Sequence, residues 1–266
     1  RDARATAVDE VFLEVEAEDD YGVRRLELVY SANGGPERVV PLYAPRGRAR
    51  AEVSAGHTLY LEELGLRPGD LVAYHARATD NAPRAQTATS DIYFLDVRPF
   101  GRAYRQAEEA GLPGAAGAGA FEGSLTQRQR EVVVGTFNVI RDRAALSARA
   151  VEEALVTLAL AEERLREETE QLAGQLERRG VVALDSAFRT VAEALPAAAR
   201  ELAAAAQRLR ARDPAGALPA EQRALRELQR AEAAYREVRV ARGQPGAAGG
   251  GAASAEDLAD LFELEL

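Results

Sequence analysis

The sequence contains no Cys, no Met and no Trp, and it also lacks Lys, so all 34 cationic side chains are Arg. Zero Cys excludes disulfides and thiolate metal sites, but it does not identify a compartment. The two His residues, His57 and His75, leave little material for a His-based metal centre or triad. Arg in place of Lys, with very frequent Ala, points to the codon bias of a GC-rich genome rather than to chemistry. No basic block exists, and the net charge is −9 with a pI of about 5.1. Binding of nucleic acid through phosphate neutralisation therefore has no footing. No apolar run approaches the ~20 residues that a membrane helix needs. The chain opens on Arg1 and ends on Leu266 inside an apolar-acidic run, which reads as a piece of a longer protein. A missing leader or membrane helix then says nothing about the parent.

What is present changes character near Pro99. Alternating Val/Tyr/Thr-rich runs lie before it and Ala/Leu/Glu/Arg-rich repeats after it. Val11, Leu13, Val15 and Ala17 alternate with Phe12, Glu14, Glu16 and Glu18, a strand with one wet face. Asp19-Asp20-Tyr21-Gly22 reads as a turn, and Val23, Leu26, Leu28 and Tyr30 as the next strand. Asn33-Gly34 is a strong hairpin signal, with Val39 to Tyr43 returning. Short strands are expected at 48–53 and 58–61, a central strand after the turn at 66–70, and a last strand over 87–97. The spacing predicts an antiparallel β-sandwich of immunoglobulin or fibronectin-III type over residues 1–99.

Residues 100–123 read as a short helix and a Gly/Ala linker, and 124–241 as an antiparallel, coiled-coil-like helical hairpin or bundle. Ser124 and Gln127 fit a capping box, and Ser147 suits the cap of a second helix. In that helix Val151, Leu158, Leu165 and Leu172 recur every seven residues, with Leu155 and Leu176 on the complementary positions. Glu162 and Thr169 interrupt this seam, and Glu162, Glu163 and the later carboxylates are expected on the helix surface. Pro196 should kink or split the third helix. Residues 213–216 read as a turn, and Pro219 as the first-turn proline of the last helix. Residues 242–255 form a Gly/Ala tail, followed by an acidic amphipathic segment over 256–266 with Leu258, Leu261 and Phe262 on one face.

Taken in order, certain strings carry a resemblance. They are Asp19-Asp20-Tyr21-Gly22-Val23, the 66–70 turn with Tyr74, Asp80-Asn81, residues 90–98, residues 124–140, residues 217–225 and the closing 257–265. Together they resemble the large bacterial envelope proteins grouped under domain of unknown function 4175. The resemblance implies amino-terminal membrane helices outside this chain, an extracytoplasmic Ig-like domain, a long helical region and a low-complexity tail. It implies a location, periplasmic or envelope and membrane-anchored, and no chemistry.

Chemical constellations are sparse. Ser54, His57, His75, Asp70 and Asp80 supply the residue types of a Ser-His-Asp set, yet no nucleophile elbow frames Ser54. Residues 111–123 lack the Lys-Ser/Thr ending of a phosphate loop. Calcium is the best small-ligand candidate, with Asp19, Asp20, Asp80 and Asn81 in loops at one end of the sandwich; the same residues are ordinary turn formers. No other cofactor is expected. The residue pattern therefore predicts a non-catalytic scaffold; the resemblance implies that it sits in the envelope, with other envelope proteins or a second copy of itself as partners. Leu158, Leu165, Leu172, Leu258, Leu261 and Phe262 are the candidate contacts. The alternatives are a carbohydrate- or peptidoglycan-binding sandwich that uses its tyrosines, and a regulatory subunit of an envelope stress or secretion system.

Overall fold

The computed structural model describes residues 1–98, 125–178 and 186–242, with backbone alone at 186–187 and 236–242. The short helix, the linker, Ser124, the tail and the acidic segment lie outside the described residues, as do Leu258, Leu261 and Phe262. The described part is a seven-stranded mixed β-sheet followed by four helices.

The strands are β1 (Ala3–Thr6), β2 (Glu10–Ala32), β3 (Arg38–Tyr43), β4 (Arg50–Tyr60), β5 (Leu71–Asp80), β6 (Thr87–Thr89) and β7 (Tyr93–Arg98). They run in the order β1-β7-β5-β2-β3, with β4 also paired to β2 and β6 to β5; only β1–β7 is parallel. The turn expected at 19–22 is instead an irregularity inside one 23-residue strand. The β2–β4 register shifts between Glu18 and Val23, and Gly22 sits at φ +88°. An extra stretch of this kind bends a strand without ending it. The half of β2 before the bend pairs with β4, and the half after it with β5 and β3. Likewise 48–61 holds one strand where two were expected, and 87–97 holds two where one was expected.

Side chains of both halves of β2 reach one interior. Val11, Leu13, Leu28, Tyr30, Leu59, Val72, Tyr74, Leu95 and Val97 belong to one apolar cluster. The turn at 33–34 is as the sequence indicates. Asn33 and Gly34 both have positive φ, and the Gly35 amide donates to the Ala32 carbonyl at 2.9 Å. This backbone matches the strand twist, which is why Asn-Gly is favoured there.

The helices are α1 (Gln127–Asp142), α2 (Ala148–Arg178), α3 (Ser186–Arg210) and α4 (Pro214–Arg242). Ser147 caps α2, accepting from the Ala150 amide at 3.2 Å. The expected turn at 213–216 is the start of α4: the Asp213 carboxylate accepts from the Gly216 amide at 2.9 Å, and Pro214 takes the first helical position. Proline suits that position because its missing N–H would be unpaired anyway. Pro219 therefore lies inside the helix. Pro196 likewise lies inside a continuous α3. The cap expected at Ser124 falls outside the described residues; Thr126, which precedes α1, makes no side-chain cap bond.

Helices and sheet meet through a shared core. Leu71, Ala73, Ile92 and Phe94 from the strands pack with Val133 and Phe137 of α1 and Leu218 and Leu225 of α4. Neighbours Val72, Tyr74, Leu95 and Val97 point to the other interior, so β5 and β7 are buried on both faces. α4 also crosses two turns of the sheet. A side chain at Gly34 would approach the Pro219 carbonyl oxygen to 2.4 Å, and one at Gly69 the Arg230 Cα to 3.2 Å.

Candidate functional site

Two polar assemblies stand out, and both involve α1 and α4. The first lines a cleft of about 680 Å³ between the sheet and these helices. Arg130 of α1 is its hub. Its guanidinium donates to Asp2 at 2.8 Å and to both oxygens of Asp96 at 2.8 and 3.1 Å, and lies 5.0 Å from the Phe94 ring centroid. Gln229 of α4 donates to Asp96 at 2.8 Å, and Asp2 accepts the Phe94 amide at 2.9 Å. A planar fork over an aromatic face is the arrangement Arg serves best. Both carboxylates are thus engaged, and the cluster ties the first residues, β7, α1 and α4 together. Burial raises the pKa of Glu232, which lines the same cleft.

The second assembly is inside the bundle. Glu162 of α2 and Glu221 of α4 are both 0% exposed. Gln129 of α1 donates its Nε2 to Glu162 Oε1 at 2.9 Å and to the Glu221 carbonyl at 3.3 Å. Thr136, two turns along the same face of α1, donates to Glu221 Oε1 at 2.7 Å. Burial pushes Glu162 up to about 8, against the smaller opposing effect of the Gln129 bond. Burial also pushes Glu221 well above the carboxylate range, and the neighbouring Glu162 charge adds to it. Glu162 therefore does not lie on the helix surface. Its seam position turns it inward, because position in the seven-residue repeat, not polarity, sets which face a residue occupies. Thr169, the other polar seam residue, satisfies itself by donating to the Leu165 carbonyl at 2.6 Å.

The remaining predicted site residues are dispersed. Ser54 Oγ donates to Glu14, and His57 pairs with Leu13 on the β2–β4 ladder. His75 lies on β5 under α1, its ring 4.9 Å from that of Phe137, and burial lowers its pKa to about 4, with Arg77 adding a smaller effect. Asp70 accepts the Arg67 amide at 2.7 Å within its own turn. Asp19 accepts the Tyr21 amide at 2.9 Å, and Asp80 the Gln86 amide at 2.8 Å. The Asn81 amide donates to the Gly22 carbonyl at 2.9 Å. Asp19, Asp20, Asp80 and Asn81 thus flank the β2 bend, and among the described residues no group of three or more His, Asp and Glu converges as a metal site. Leu165 is buried in the bundle's own core at 2% exposure, and Leu158 and Leu172 pack partly against it. Sequence reasoning missed Gln129, Thr136 and Glu221, whose signal is a polar residue facing a polar interruption on a neighbouring seam.

The class these observations define is β plus α, a mixed seven-stranded sheet followed by four helices. No family model matches the chain, and no curated protein does. Among solved structures it is similar to a chain titled pT26-6p, at 12% identity and a TM-score of 0.21, covering 88% of this chain and 49% of that one. This chain thus spans about half the length of that one, and a TM-score at that level defines no shared fold.

Proposed function

We propose that the chain is a non-catalytic interaction module of a bacterial cell envelope, part of a larger membrane-anchored protein and displayed outside the cytoplasm. The observation that carries the interaction reading is on α2. Val156 and Leu160, one helical turn apart, are 55% and 51% exposed, while Leu155, Ala159 and Glu162 behind them are buried. Apolar side chains spaced this way on an outward helix face suit a second helix or sheet. The envelope location rests on the resemblance to the domain-of-unknown-function family. Within this reading the β part is an Ig-like sandwich, supported by the first half of β2 and β4 sharing one interior with β1, β5 and β7.

Photo-crosslinking groups placed at positions 156 and 160 of the full-length protein, in its own cells, test this. The expected result is a discrete adduct with an envelope protein or a second copy, lost when the neighbouring apolar residue becomes Glu. Absence of any adduct, with an exposed control at Arg149 behaving the same, would overturn it. A glycan-binding reading retains one favourable observation: Phe12 and Tyr60 are exposed on the outer face of the β2–β4 pair. Tyr30 and Tyr74, by contrast, are buried. Binding of peptidoglycan fragments, abolished by Phe12→Ala, would favour that alternative.

A further inference from the structure

The buried carboxyl pair invites a specific account, independent of the envelope reading. Glu162 Oε2, Glu221 Oε2 and Gln129 Oε1 are all buried without a hydrogen-bond partner. All three are acceptors when the carboxyls are ionised, and the donors present, Gln129 Nε2 and the Thr136 hydroxyl, are spent on the other carboxyl oxygens. A carboxylic acid supplies the missing donor, whereas a carboxylate does not. Two buried negative charges at one site, without a counter-cation, carry a desolvation cost that neutralisation removes.

Many cations on the packed elements are paired with other carboxylates. Arg128 of α1 pairs with Glu168, and Arg130 with Asp2 and Asp96. Arg210 of α3 pairs with Glu163, and Arg166 of α2 with Glu170. On α4, Arg223 pairs with Glu201 of α3, and Arg226 and Arg230 with Glu227. From the sheet side, Asp96 is held by Arg130 and Gln229, Asp91 by Arg141, and His75 stays neutral above about pH 4. Glu232, further along α4, is also raised by burial, at a place apart from the pair.

We propose that Glu162 and Glu221 form a proton-holding pair at the junction of α1, α2 and α4, and that its deprotonation loosens the packing of these three helices. The folded chain holds these protons more tightly than the unfolded chain does. The stabilisation is therefore fully present below the ordinary carboxylate range and is lost as pH rises, through about 8 for Glu162. The bundle is a device that is tight in acid and loose in alkali.

The test compares thermal unfolding of the wild type with Glu162→Gln, Glu221→Gln and the double variant from about pH 5 to about pH 9. Gln keeps the shape and stays neutral throughout. The wild-type Tm should fall relative to the double variant by roughly 5 °C or more across that range. Parallel profiles would overturn the proposal. So would a wild-type Tm restored at the alkaline end by millimolar calcium or magnesium, since that would make the pair a cation site. If a variant fails to fold, carboxyl carbon NMR of Glu-labelled wild type decides. Two carboxyls titrating above about pH 6 support the pair, and titration of every Glu below that overturns it.

Discussion

The two interiors of this chain treat polar groups differently. The interior enclosed by β1, β2, β4, β5 and β7 is lined by Val, Leu, Ala and Tyr, and the strand ladders satisfy the backbone. Tyr74, at its margin, still finds the Arg1 carbonyl at 2.5 Å. The helical interior is also built of Leu and Ala, yet it holds two carboxyls, an amide and a hydroxyl in one place. A helix satisfies its own backbone, so a buried side-chain polar group either returns to its own helix, as Thr169 does, or depends on tertiary neighbours, as Glu162 and Glu221 do. Between the two lies the apolar cluster shared by Phe94, Leu71, Phe137 and Leu225, which makes strands and helices answer to each other.

The comparison breaks most severely at that cluster. Phe94, 1% exposed and beneath Arg130, touches both parts. Phe94→Ala should cost about 3–5 kcal/mol in denaturant unfolding, and fluorescence of the tyrosines in the sheet and helical circular dichroism should lose stability together. Loss confined to one signal would mean that the cluster does not couple the parts. A smaller effect is expected at His75. Its folded pKa is depressed to about 4, below the unfolded value of 6.5, so it is held neutral. The stability it confers is complete above about pH 6.5 and is lost as pH falls through about 4, the direction opposite to that of the carboxyl pair. His75→Leu should remove about 2 kcal/mol of this acid sensitivity, allowing for partial exposure. An NMR titration placing His75 near its ordinary value would contradict this. Smaller again, Gly34→Ala introduces a Cβ at φ +66°, 2.4 Å from the Pro219 carbonyl oxygen. A loss of about 1–2 kcal/mol is expected at this contact between turn and helix. An unchanged denaturation midpoint would mean that the hairpin and α4 are not pressed together.

Legibility followed the same division. The strict alternation of residues 11–18 announced a strand with one wet face, and Asn33-Gly34 announced its turn. The double-sided burial of β5 and β7 was also written in the chain. Leu71 to Tyr74 and Tyr93 to Leu95 run apolar without alternation, as strands covered on both faces do. What local pattern could not supply was the cover on the second face, because α1 and α4 lie far away in sequence. Asp213-Pro214 looked like a turn because a helix cap and a turn use the same residues for the same local bonds. Glu162 marked a seam position, but its meaning depended on Glu221 and Gln129 from two other helices. The bend of β2 at Gly22 was visible as Gly and Asp, without the information that the strand continues past it.

The most direct measurement is native-state hydrogen exchange on the full chain, comparing the amides of Val72 and Ala73 in β5 with those of Ala224 and Leu225 in α4. If the strands and helices share one core, both sets open with the same free energy and shift together when Phe94 is truncated. If α4 exchanged through a low-energy opening while β5 stayed fully protected, the account would be contradicted.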